Sequence, residues 1–159
     1  MVLLAIIRLR GRSGARPEVR YTLRLLRLTR RFHAVIYPSS LPGIEGMLKV
    51  VKDWVTWGEI SKDVLKELIV RRGRTIGNKP ITDEFVKTKL KIDGGIDELV
   101  DLVYNEKIYW HRLDNLVKPI FRLHPPKGGF KGSIKKPYKA GGELGYRGSA
   151  INELLLRMI

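Results

Sequence analysis

The sequence predicts an α+β fold. A small sheet with two helices, in the order β-α-β-α-β, spans residues 1–60, followed by a mostly helical extension over 61–123, a basic extended tail over 124–148 and a closing helix over 149–159. Three observations predict it. The chain opens on a nearly continuous aliphatic run, Val2–Leu9, the pattern of a strand buried on both faces. Strand-like and helix-like periods then alternate through residue 60, enough for one layer of two helices on a small sheet. From residue 124 to 148 the pattern changes: seven Gly, five Lys, three Pro and three aromatics stand against one acid, Glu143. With only Ile134 and Leu144 as sizeable aliphatics, that stretch is expected to stay disordered until a partner orders it.

The elements follow in order. After the first strand, GRSGAR (Gly11–Arg16) is a loop, and Pro17 suits the first turn of a helix running to about Arg31. Ala34–Tyr37 is a second strand. Ile44–Lys52 has helical spacing, with Ile44, Met47, Leu48 and Val51 on one face. Trp54–Ile60, rich in aromatic and β-branched residues, is a third strand. Ser61 caps a helix over Lys62–Arg72, with Gly73 as the residue after it. Thr82 caps a short helix through Val86, Ile96–Tyr104 is another helix, and Lys118–Leu123 is strand-like. Ser149 caps a final helix, Ala150–Met158. Trp54, Trp57 and Trp110 read as packing residues.

The chain has 159 residues, 43% of them apolar, with a net charge of +15 and no cysteine. Such a charge points to a polyanion partner, and it is segregated. Residues 1–33 hold nine Arg and one Glu, and residues 124–148 hold five Lys and one Arg against one Glu, whereas 34–123 is nearly balanced. No apolar run approaches the ~20 residues needed to cross a bilayer, so a membrane partner is not expected. The opening run lacks the basic start and small-residue cleavage site of a signal peptide. Absence of cysteine excludes disulfides and thiolate metal sites and fits the cytoplasm.

The sharpest functional signal is arginine spacing. Arg16, Arg20, Arg24, Arg27 and Arg31 step by 4, 4, 3 and 4, so on a helix they fall within a stripe about 80° wide, with Arg30 beside it. No acid stands at i+4 to pair with them, and arginines near a helix N-terminus oppose its dipole. An unpaired row at that cost points to an external anion, and the planar guanidinium suits phosphates and base faces. Arg8, Arg10 and Arg12 share one parity where the first strand leaves the core. Arg71, Arg72, Arg74 and Lys79 form a smaller cluster, for which a favourable helix C-terminus is an equal explanation. In the tail, Lys127, Lys131, Lys135, Lys136, Lys139 and Arg147 neutralise phosphates, while Phe130, Tyr138 and Tyr146 offer faces to unpaired bases.

Catalysis has little support. His33, His111 and His124 are scattered without metal-ligand spacing, and no phosphate-binding loop, HExxH or GxSxG occurs. No catalytic residue, metal, cofactor or small-molecule substrate is assigned. Two rival readings stand beside RNA binding. A DNA-binding regulator would use the Arg-rich helix for readout, but the row lacks the Asn, Gln and Ser mix that reads bases and no helix-turn-helix partner precedes it. An RNA-processing enzyme would need a catalytic acid such as Asp53 or Glu59.

Several stretches, taken in order, resemble a known family: VRYTLRLLRLTRRFHAV (Val19–Val35), GMLKVVKDWVTWGEI (Gly46–Ile60), RRGRTIGNKPIT (Arg71–Thr82), FRLHPPKGGFKGSIKKPY (Phe121–Tyr138) and GGELGYRG (Gly141–Gly148). The chain resembles the archaeal form of the large-subunit ribosomal protein family numbered thirty, related to the eukaryotic large-subunit protein numbered seven. Asn105–Pro119 matches only loosely. The resemblance implies a cytoplasmic structural constituent of the large ribosomal subunit without catalysis. It implies contacts to large-subunit (23S) ribosomal RNA in the neighbourhood of 5S RNA, and to other large-subunit proteins. It also implies a three-stranded, mainly antiparallel sheet related to the ferredoxin-like arrangement. Residues 1–60 correspond to the compact core that bacterial members have alone. The RNA-facing positions it implies are Gly11–Arg16, the arginine row and Lys127–Arg147.

Overall fold

The opening aliphatic run forms the central strand. In the computed structural model, which describes residues 2–11 and 13–159, β1 (Leu3–Arg8) is buried along its whole length. Leu4 and Ile6 join one core, and Leu3, Ala5 and Ile7 the other, as the two-residue period of a strand requires. Each fully buried Leu or Ile contributes about 1.5–3 kcal/mol. β2 (His33–Pro38) and β3 (Val55–Glu59) flank β1 antiparallel, with Ile6 opposite both Val35 and Trp57. Helices α1 (Pro17–Leu25) and α2 (Ile44–Val51) cover the Leu4 and Ile6 face through Val19, Leu23, Ile44, Leu48 and Val51.

The opposite face carries α3 (Lys62–Arg72), α4 (Asp83–Thr88), α5 (Gly95–Tyr104) and α6 (Ile151–Met158). The expected caps form: Ser61 accepts the Val64 N–H at 3.3 Å, and Thr82 accepts the Phe85 N–H at 3.1 Å. Ser149 does not cap α6. It sits in a single 3₁₀ turn, Gly148–Ala150, and Ala150 precedes the helix. Leu65, Leu68, Ile69, Leu99, Val103, Leu154 and Leu155 all lie in this second core, with Trp110 stacked on Phe121 at 5.5 Å.

The sheet has six strands rather than three. It is mixed, in the order β4-β2-β1-β3-β6-β5, where β4 is Phe121–Arg122, β5 is Ser133–Pro137 and β6 is Gly142–Tyr146. β4 pairs antiparallel with β2. β6 runs parallel to β3, with Thr56 opposite Gly145, and β5 runs parallel to β6. A three-stranded sheet would leave unpaired N–H and C=O rows on both edges; the later residues cover them. Residues 124–148 are therefore no free extended tail here. They bury Leu144 and place the Glu143–Arg147 ion pair (2.8 Å) inside, with the Arg147 Nε donating to the Thr56 hydroxyl at 2.7 Å. Gly58 on β3 allows this closure, since a Cβ there would run into the Gly148 carbonyl. The outer strand β5 presents Lys135, Lys136 and Pro137, all exposed, residues that block further edge pairing.

Candidate nucleic-acid interface

Helix α1 stops at Leu25 rather than near Arg31. Arg27 adopts left-handed backbone (φ 67°), the Leu28 N–H returns to the Leu23 carbonyl at 2.8 Å, and the Arg27 N–H reaches the Arg24 carbonyl at 2.9 Å. This is a Schellman closure. Its driving force is apolar. On a continued helix Leu28 would point into the arginine stripe, whereas the turn buries both Leu26 and Leu28.

The row of five arginines is thereby broken up. Arg16, Arg20 and Arg24 remain aligned and exposed. Arg27 swings away and donates to the His111 carbonyl at 2.8 Å and the Asp114 carboxylate at 3.0 Å. Arg31 donates to the Leu9 carbonyl at 2.8 Å, with its guanidinium 4.6 Å over Phe32. The segment after the turn folds back, and Arg30 comes to face α1. A cleft of about 560 Å³ results, lined by Arg8, Arg20, Arg24, Arg30 and Arg31 and by no acid. Arg8 is buried and anchors its base, donating to the Leu28 carbonyl at 2.8 Å and the Arg10 carbonyl at 2.9 Å. Among the described residues no acid pairs with Arg16, Arg20, Arg24 or Arg30. Arg10 stacks on Trp54 at 4.7 Å and donates to the Asp53 carbonyl. Arg12 lies outside the described residues.

A second basic cleft, about 200 Å³, gathers Arg72, Arg74, Lys118 and Arg122. Arg74 also closes the end of α3, donating to the Gly73 carbonyl at 2.7 Å. Arg71 and Lys79 are exposed outside it. Lys118 and Arg122 were not among the residues expected to face RNA. Lys118, Ile120 and Arg122 alternate, and all three line the cleft; that two-residue period was the signal available. His33 lies between the two clefts, opposite Arg122 in the β2–β4 register. Burial holds its imidazole below the ordinary histidine range, and the positive fields of Arg122, Arg30 and Arg8 push the same way.

The tail residues divide. Lys127, Lys135, Lys136 and Lys139 are exposed, without ion-pair partners among the described residues. Lys131 pairs with Glu153 at 3.0 Å on the surface. Phe130 is half-buried and stacks on Phe32. Tyr138 lies under the Arg147 guanidinium at 4.8 Å, and the Tyr146 hydroxyl donates to Glu59 while its ring leans on Trp57. The three aromatics expected to stack on bases are thus engaged within the chain.

A profile of the family described as ribosomal protein L30p/L7e matches residues 4–55, which carry β1 but for Leu3, then α1, β2, α2 and the first residue of β3. Along nearly its whole length the chain is similar to proteins named large ribosomal subunit protein uL30. It is 63% identical to that of Hyperthermus butylicus, covering 99% of this chain and 90% of that protein. It is 58% identical to that of Staphylothermus marinus, covering 99% and 98%, and 52% identical to that of Aeropyrum pernix over the full length of both. With identity this high over nearly the whole length, the chain belongs to the L30p/L7e ribosomal protein family, in its archaeal uL30 form.

Proposed function

We propose that the chain is a structural constituent of the large ribosomal subunit, which binds and stabilises large-subunit ribosomal RNA by charge neutralisation on a preformed surface. The observation that carries this is the acid-free cleft of five arginines, Arg20 and Arg24 among them, with exposed Arg16 in line with those two. Guanidiniums held at such density repel one another in the free protein, and phosphates relieve that repulsion while releasing counterions. The second basic cleft extends the surface past His33, and the exposed lysines of 127–139 add a further patch.

The work divides along the chain. Residues 1–60 form the RNA-binding core, 61–123 a mostly helical extension that supports it, 124–148 a basic segment carrying lysines to the RNA, and 149–159 the helix that locks that segment down. The RNA is the 23S species in the neighbourhood of 5S RNA, and other large-subunit proteins are neighbours. The role is non-enzymatic, and the reading needs no cofactor. No helix among the described residues is long and apolar enough to cross a membrane. The test is sedimentation of a lysate through a gradient, then a high-salt wash of the large-subunit fraction. Retention in near one-to-one amounts is the expected result. A protein that runs free, or that salt strips away, is a peripheral polyanion binder instead.

A further inference from the structure

The exposed arc of α1 carries two adjoining stripes. Arg16, Arg20 and Arg24 form one; Pro17, Tyr21 and Leu25, also four apart, form the other. Glu18 is exposed at the far edge of the second stripe, and Val19, Thr22 and Leu23 fill the buried remainder. Tyr21 is 59% exposed, the highest value of any large apolar or aromatic side chain among the described residues, and its neighbour Leu25 is 52% exposed. Phe130, Tyr138 and Tyr146 all have ring, cation or hydroxyl partners inside the chain; Tyr21 has none among the described residues.

A surface that met only phosphates would have no use for this strip. Leaving Tyr21 and Leu25 in water forgoes the stabilisation that covering them would bring. What covers them must also satisfy the arginines one step around the helix. A nucleotide does both, since its phosphate is anionic and its base has a flat apolar face. A duplex cannot supply that face, because its bases are stacked on one another. We propose that Tyr21, backed by Leu25, is a stacking platform for one unpaired base of the bound RNA, whose adjoining phosphates are held by Arg20 and Arg24 at the cleft. The RNA at this helix is therefore a loop, a bulge or a strand end. This rests on the RNA-binding reading above and specifies what that RNA must look like.

Stacking and phosphate neutralisation respond differently to salt, and that separates the claims. The full-length chain is titrated with deproteinised large-subunit ribosomal RNA of the same organism over a series of salt concentrations. Tyr21→Ala should weaken binding roughly 5- to 150-fold at every salt concentration, with an unchanged salt slope. Tyr21→Phe should bind like the parent, and Tyr21→Gln, a second variant at this exposed position, like Tyr21→Ala. Chemical probing should find one unpaired base shielded by the parent and by Tyr21→Phe but reactive with Tyr21→Ala. If Tyr21→Ala matches the parent while Arg20→Ala and Arg24→Ala lower the slope, the stacking role is overturned and the RNA-binding reading stands. Normal RNA affinity but weakened retention of Tyr21→Ala in intact subunits would assign the strip to a protein neighbour and overturn it equally. A parent that binds this RNA without salt dependence brings down both.

Discussion

A buried guanidinium must find its partners inside the chain, whereas an exposed one is available to a ligand. Arg147 is of the first kind, held by Glu143, Thr56 and the face of Tyr138. Replacing either member of the Glu143–Arg147 pair with Ala leaves its partner's charge buried and uncompensated, at a cost of about 3–5 kcal/mol. The melting midpoint should fall roughly 6–20 °C, taking 2–4 °C per kcal/mol for a chain of this size; an unchanged midpoint would return Arg147 to the surface. His33 makes a second prediction at this scale. Burial first, then Arg122, Arg30 and Arg8, hold its imidazole below the ordinary histidine range, and His111 is held low by burial, Arg27 and Arg112. The unfolded chain protonates these rings near pH 6.5, so below that pH it binds more protons than the folded chain. Stability therefore falls as pH drops from about 6.5 toward the lower folded values. Melting midpoints should be lower at pH 5.5 than at pH 7.5, and a His33→Gln, His111→Gln chain should show a shallower decline.

Helix α1 is where element and function meet. Its nine residues bury Val19, Thr22 and Leu23 and leave Arg20 and Arg24 outside, in line with Arg16 just before it, but the closure at Leu26–Leu28 decides which later arginines join them. It sends Arg30 to the cleft and Arg27 to Asp114. Replacing Arg20 and Arg24 together with Ala should flatten the salt dependence of RNA binding by roughly 0.7–0.9 log units per log salt for each phosphate no longer neutralised. Arg27→Ala should leave that slope alone, since its charge is already met at 3.0 Å. Equal effects from the two variants would show that Arg27 also reaches the RNA. The sequence hides this distinction because the left-handed position of the closure holds Arg27, not the Gly or Asn that usually marks a helix end.

At the scale of the whole molecule, both edges of the sheet are completed by the C-terminal part of the chain. Residues 121–122 cover one edge of the β2-β1-β3 set, and 133–146 cover the other. Ile151, Leu154, Leu155 and Met158 then seal the second core, with α6 packed on β3 and α3. A chain ending at residue 141 would expose β3 as an edge and strip those four side chains from the core. It should lose cooperative thermal unfolding and be cut readily within 61–123 by protease, although both basic clefts lie in what remains. A sharp transition in that shortened chain would mean that the closing segment is an accessory rather than part of the fold.

Local signals were legible in the sequence because they depend on neighbours within a few residues. The β-α-β-α-β order, the two-faced burial of β1 and the caps at Ser61 and Thr82 rest on periods or pairings of four residues or fewer, and the separation of charge is read from composition alone. The Gly- and Lys-rich stretch was misjudged on the same local terms, since its own side chains offer too little apolar surface to order it. Its order comes from pairing Gly145 with Thr56 and sealing Arg147 against Glu143 and Thr56, contacts that span up to 91 residues. Composition determined that this protein meets a polyanion. Tertiary structure decided which cations are free to do so, because a side chain's availability depends on what the rest of the chain brings beside it.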